Sequence, residues 1–223
     1  MQRYRAILLL VVLVGSTFSA AFAQEINLLP KYGLLPKNEG QKEADQKFVA
    51  DIDHSYKGNR KKAAEDMAGL GWQFLRADDS ETAMKRFNQA WLLDNSNGKA
   101  LWGMAAVQAN WMKLDESLKL FAEAESFVGD DINFTTDYAK TLGMAGAKTK
   151  NESLLNDAFA RFARVHKTAP QNTLNLQNWA ITLYYVGKYA EAWEKIKLAE
   201  ATPGHDEINS KFVDALQSKM PRP

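Results

Sequence analysis

The side chains with the most latent chemistry in this 223-residue chain are its three histidines, His54, His166 and His205. None has a second ligand at the short spacing that a zinc or iron site requires. They read as solvated surface groups, and no metal is expected. Two acidic pairs, Asp78-Asp79 and Asp130-Asp131, offer carboxylates for general acid and base work. Both stand at helix junctions, where a carboxylate satisfies free backbone N–H groups and the positive end of the next helix, so capping is the reading taken. Asp94-Asn95-Ser96-Asn97-Gly98 has the outline of a calcium loop but lacks the alternating ligands and the late Glu. The basic run Arg60-Lys61-Lys62 opens a helix and reads as a solvated face. No Gly-x-Ser-x-Gly elbow, Walker loop or dinucleotide fingerprint occurs. No catalytic residue and no cofactor are expected. What the chain does hold in excess is tryptophan, six in all, more than packing usually demands.

The elements that position these residues announce themselves by a repeat. Ala83-Phe87-Ala90, Ser117-Phe121-Ala124, Ala158-Phe162-Val165 and Ala192-Ile196-Ala199 share one pattern of small, bulky and small side chains. Subtracting the first members (117 − 83, 158 − 117, 192 − 158) gives intervals of 34, 41 and 34. Small residues let two helices of a hairpin approach, and the bulky one fills the volume between adjacent hairpins. Asp78-Asp79-Ser80 suits the tight turn of the first hairpin, with Asp79 or Ser80 capping its second helix. In the third repeat the second helix starts seven residues late, the extra length falling in Gly143–Lys150 as a longer connection or an extended helix end. Before the repeats, residues 24–41 read as an irregular arm punctuated by Pro30, Gly33, Pro36 and Gly40, and a helix is expected over 42–58 on the stripe Phe48, Ile52 and Tyr56. After them, Ile208, Phe212, Ala215 and Leu216 make a capping helix over 207–220.

A period of 34 with this pattern resembles the tetratricopeptide repeat (TPR) family. The resemblance covers 64–206 as repeats 64–97, 98–131, 132–172 and 173–206, closest to pattern in the first and fourth. Gly71-Trp72-Gln73-Phe74-Leu75-Arg76 and Arg86-Phe87-Asn88-Gln89-Ala90-Trp91 look like stretches of exported bacterial TPR proteins. The motif's terminal proline is replaced by Asn95 in the first repeat and Gly129 in the second. The resemblance implies an all-α right-handed solenoid that binds a protein or peptide in a groove lined by the first helices. Carried over by register, the groove residues of interest are Trp72, Arg76, Trp102, Asn110, Lys140, Gln177, Tyr184 and Tyr185. Trp72 and Ala106 occupy the position where the chaperone-tail carboxylate clamp of this family needs a polar residue, which disfavours a chaperone co-factor role. Aromatic stripes at helical spacing are also what buried packing produces, so each tryptophan has a core reading beside its groove reading.

The address comes from the first residues. Arg3 and Arg5, an apolar run from Ala6 to Val14 and Ala21-Phe22-Ala23 together read as a signal peptide over 1–23, cleaved before Gln24. Removing its two cations leaves 28 − 2 = 26 basic against 27 acidic residues, a net charge of −1, with nothing to attract nucleic acid. The chain has no cysteine, which excludes disulfides and a lipid-modified N-terminus. The sequence thus reads as a periplasmic, non-catalytic binding scaffold with no membrane span once the signal is gone. Two other readings stand beside it: a structural subunit of a secretion, pilus or outer-membrane assembly whose arm inserts into a neighbour, and a glycan- or peptidoglycan-associated protein.

Overall fold

The computed structural model describes residues 26–223. The expected signal peptide, its cleavage point and Gln24 lie outside the described residues. Among the described residues the fold is all-helical, with ten α-helices and two short 3-10 turns. It divides into two compact units, one ending at Val107 and one beginning at Gln108.

The first unit holds a 3-10 turn at Pro30–Leu34, then α1 (Glu39–Ser55), α2 (Arg60–Arg76), α3 (Ser80–Leu93) and most of α4 (Gly98–Asn110). Helix α1 begins upstream of the expected residue 42 because Asn38 and Gln41 form a reciprocal capping box, each side chain bonding the other's backbone N–H at 2.9 Å. It ends where Lys57 and Gly58 take φ of 51° and 78°. Asp79 caps α3 by accepting the Thr82 N–H at 3.0 Å, an arrangement that holds its carboxyl below the ordinary range. The hairpin α2/α3 closes around Phe87, which is fully buried. A Cβ added to Gly71 would stand 2.5 Å from that ring, and one added to Gly103 would stand 2.2 Å from it. The ring is wedged between glycines of two successive first helices. This is the close approach that the small residues of the repeat exist to permit.

The segment expected as an irregular arm is ordered against its own first repeat. Ile26 and Tyr32 are buried, and the 3-10 turn packs on α3. Lys31, Tyr32, Gly33 and Leu34 have consecutive φ values of 54°, 56°, 67° and 53°, a full left-handed turn. For the three non-glycine residues that conformation costs about 1–2 kcal/mol each, so contacts elsewhere must hold it. Burial pushes the Tyr32 phenol well above its ordinary value, with the charge of Asp45 adding to the shift.

The second unit carries α5 (Leu114–Val128), α6 (Ile132–Thr149), α7 (Glu152–Thr168), α8 (Thr173–Tyr185), α9 (Tyr189–Glu200), a 3-10 turn at His205–Glu207 and α10 (Ser210–Lys219). Asp131, Asn151, Asn172 and Asn209 each cap the helix that follows. The seven extra residues of the third repeat are helical: α6 runs 18 residues, and Lys150 stops it in the left-handed conformation. Phe121 stacks on Tyr138 with centroids 5.0 Å apart, and Phe162 stacks on Trp179 at 6.1 Å. Each bulky residue of a second helix therefore packs on the first helix of the next repeat. A polar seam joins α8 to both preceding helices: Asn175 donates to the Phe162 carbonyl of α7 at 3.1 Å and accepts from Thr136 of α6 at 3.4 Å, and a Cβ on Gly143 of α6 would stand 2.5 Å from Thr182 Oγ1. Helix α10 closes the stack, burying Leu216 in a cluster with Trp193 and Ile196.

Candidate binding surface

In the first unit, α2 presents Trp72 and Arg76 and α4 presents Trp102. The two indoles, both half-buried, meet edge to face at 4.6 Å, and Trp72 also meets the edge of Phe87 at 5.6 Å. Trp72 Nε1 donates to the Lys99 carbonyl at 3.3 Å, which fixes the ring and leaves only its π surface for a ligand. Core and groove readings of these tryptophans are thus combined in one pair: Trp72 packs on Phe87, Trp102 packs on Trp72, and both keep part of their surface exposed. Arg76 is exposed beside Trp72 on the same helix. Glu65 and Lys99, at the second position of their repeats, pair with each other at 2.9 Å. Both are exposed, so the pair contributes little to stability but settles the charge at this end.

In the second unit the remaining candidates separate into two groups. Asn110 at the end of α4, Lys140 on α6 and Tyr185 at the end of α8 are exposed, Tyr185 by 65%. Gln177 and Tyr184, on α8, are used by the chain itself. Gln177 Oε1 accepts the Asn209 N–H at 2.5 Å, and the Tyr184 ring lies edge-on to Phe212 at 5.7 Å. The segment leading into α10 covers this part of the first-helix face. Tyr185 stands against Tyr184 at 5.5 Å, at the border of the covered part.

The histidines need one correction. His54 and His205 are exposed, but His166 is half-buried edge-on to Trp179 at 6.4 Å, with its Nδ1 shielded from solvent and unpartnered. A spacing of four from Phe162 put it on the packed side of α7, a signal present in the sequence. Among the described residues no group of three or more His, Asp or Glu could hold a metal ion, and no helix is long and apolar enough to cross a membrane.

Sequence register also passed over a cation network on the second helices. Arg161 lies 4.1 Å above the Tyr138 ring and donates to Glu125 at 2.6 Å and to Asp157 at 3.0 Å. Contact with two carboxylates raises the Arg161 guanidinium against the opposing effect of burial. Lys195 lies 4.1 Å above Trp179 in the same manner. These cations cover aromatic rings that would otherwise face solvent, so their role is packing.

Helical hairpins stacked through a wedged aromatic, with first helices side by side, can be compared with known folds. The crystal structure of TTC0263, a thermophilic TPR protein from Thermus thermophilus, superposes with a TM-score of 0.63 at 15% identity, over 71% of this chain and 84% of that one. This is a TPR-type fold. YrrB, described as a TPR protein with an unusual peptide-binding site, aligns at 17% identity over 77% of this chain and 97% of that one, but with a TM-score of 0.31. No protein-family model and no curated protein sequence matches the chain.

Proposed function

We propose that this TPR-type chain is a non-catalytic scaffold that binds a protein or peptide on the first-helix face, and that it does so in the periplasm after export. The observation that carries the reading is the Trp72–Trp102 pair: two partly exposed indoles on successive first helices, flanked by the exposed cation Arg76. Rigid aromatics beside a cation are the usual anchors of a peptide segment. In the second unit, Tyr185 and Lys140 are each exposed on a first helix and supply the same kinds of side chain. Replacing Trp102 or Tyr185 by Ala should weaken partner capture by about 1–3 kcal/mol. Tyr185→Ala should leave the melt unchanged, whereas Trp102→Ala should also lower it, because that indole packs on Trp72. Capture from envelope extract and thermal melts on both variants check this. Full capture by both folded variants removes the first-helix face from the proposal.

Export is supported by the apolar run and the Ala-x-Ala site of residues 1–23. The intact mass of the exported protein should begin at Gln24, and a mass that includes residues 1–23 overturns the periplasmic placement. The alternative as a structural subunit whose arm inserts into a neighbour requires that the arm first leave α3.

A further inference from the structure

A single side chain holds the main chain of the N-terminal arm. Asn88 on α3 is fully buried, and its amide is committed to backbone groups of the arm. Its Nδ2 donates to the carbonyls of Asn27 and Leu29 at 2.9 Å each, and its Oδ1 accepts the Tyr32 N–H at 3.4 Å. Backbone groups are alike in every peptide, so these bonds select a chain conformation and not a sequence. Selectivity for a side chain comes from Tyr32, whose buried ring carries Lys37 Nζ at 3.4 Å, while Lys37 is itself ion-paired to Asp45.

The seated arm is a poor match to its own seat in one respect. Three residues with side chains, Lys31, Tyr32 and Leu34, are held left-handed, where only Gly and, less readily, Asn sit without strain. Leu34, 69% exposed, gains nothing from burial in return. A segment with the same carbonyl and N–H spacing and the same phenol, but with Gly or Asn in place of Leu34, keeps the Asn88 bonds and loses the strain at that position.

We propose that the Asn88 seat is a peptide-binding site in its own right, occupied in cis by residues 26–34. Its ligand is a partner segment in which a tyrosine lies in a Gly- or Asn-containing turn, and that segment displaces the arm. The site lies on a second helix and is separate from the first-helix surface proposed above.

The test uses the full exported chain and two labelled peptides. One has the sequence of residues 24–37, and the other carries Leu34→Gly in that sequence. The host is Tyr32→Ala, which vacates the phenol position while leaving Asn88 in place. Both peptides should bind the host saturably, the glycine-substituted one about tenfold tighter, and both should bind the wild-type chain at least about tenfold more weakly than the host. Replacing the peptide's own tyrosine by Ala should abolish binding, and so should Asn88→Ala in the host if that variant stays folded. No saturable binding to the folded host overturns the proposal. So does equal binding to host and wild type, or binding that survives loss of the peptide's tyrosine, a readout that needs no Asn88 variant.

Discussion

Phe121→Ala should lower the unfolding free energy by about 3–5 kcal/mol, as measured by chemical or thermal denaturation. The ring is fully buried, stacks on Tyr138 at 5.0 Å and meets Phe134 at 5.7 Å, so its removal opens a cavity bounded by two aromatic side chains from α6. Rings of that size cannot collapse into the space without leaving their rotamers. The stacking partner loses an interaction beyond simple area burial as well. A melt indistinguishable from wild type would mean that α5 does not pack on α6 through this residue.

Gly103→Ala should destabilise by roughly 1–3 kcal/mol, although the substitution improves helix propensity by about 1 kcal/mol. The sign is decided by crowding. A Cβ at Gly103 would stand 2.2 Å from the Phe87 ring, and the ring cannot retreat because Gly71 crowds its other side, where a Cβ would stand 2.5 Å away. Gly69 provides the control: it lies in the interior of α2 with nothing within 4 Å of an added Cβ, so Gly69→Ala should stabilise by about 0.5–1 kcal/mol. A smaller ring-site residue should rescue the first variant. Phe87→Leu combined with Gly103→Ala should cost less than the sum of the two single changes, a coupling that a double-mutant cycle reads directly. Additive behaviour would place the ring elsewhere.

The fold was legible in the sequence because the constraint that produces it is local and periodic. Two helices in a hairpin can approach only over small residues, and the next hairpin can dock only if a bulky side chain fills the gap. Ala83, Phe87 and Ala90 and their counterparts are therefore visible at fixed spacing. Helix ends were less legible. The start of α1 depends on a capping box between Asn38 and Gln41, a local bond pair that apolar periodicity does not register. The surface was legible only as far as register reaches. Register places Gln177 and Tyr184 on a first helix, but it does not say that Asn209 and Phe212, more than two dozen residues later, will lie over them. The arm was the least legible part. Pro30 and Gly33 read correctly as punctuation, yet the bonds that order the segment come from one asparagine 56 to 61 residues away, with no pattern linking the two.

That separation also sets an order of events. A chain is made from its N-terminus, and the arm emerges well before the residue that receives it. Its left-handed turn has nothing to hold it until α2 and α3 have paired around Phe87, since Asn88 faces the arm only when the neighbouring phenylalanine faces the glycines. Docking of residues 26–34 is therefore a late step in the maturation of the first repeat, and its reversal needs none of the aromatic packing to open. Amide protons in this turn should accordingly exchange with solvent long before those of the hairpin beneath it.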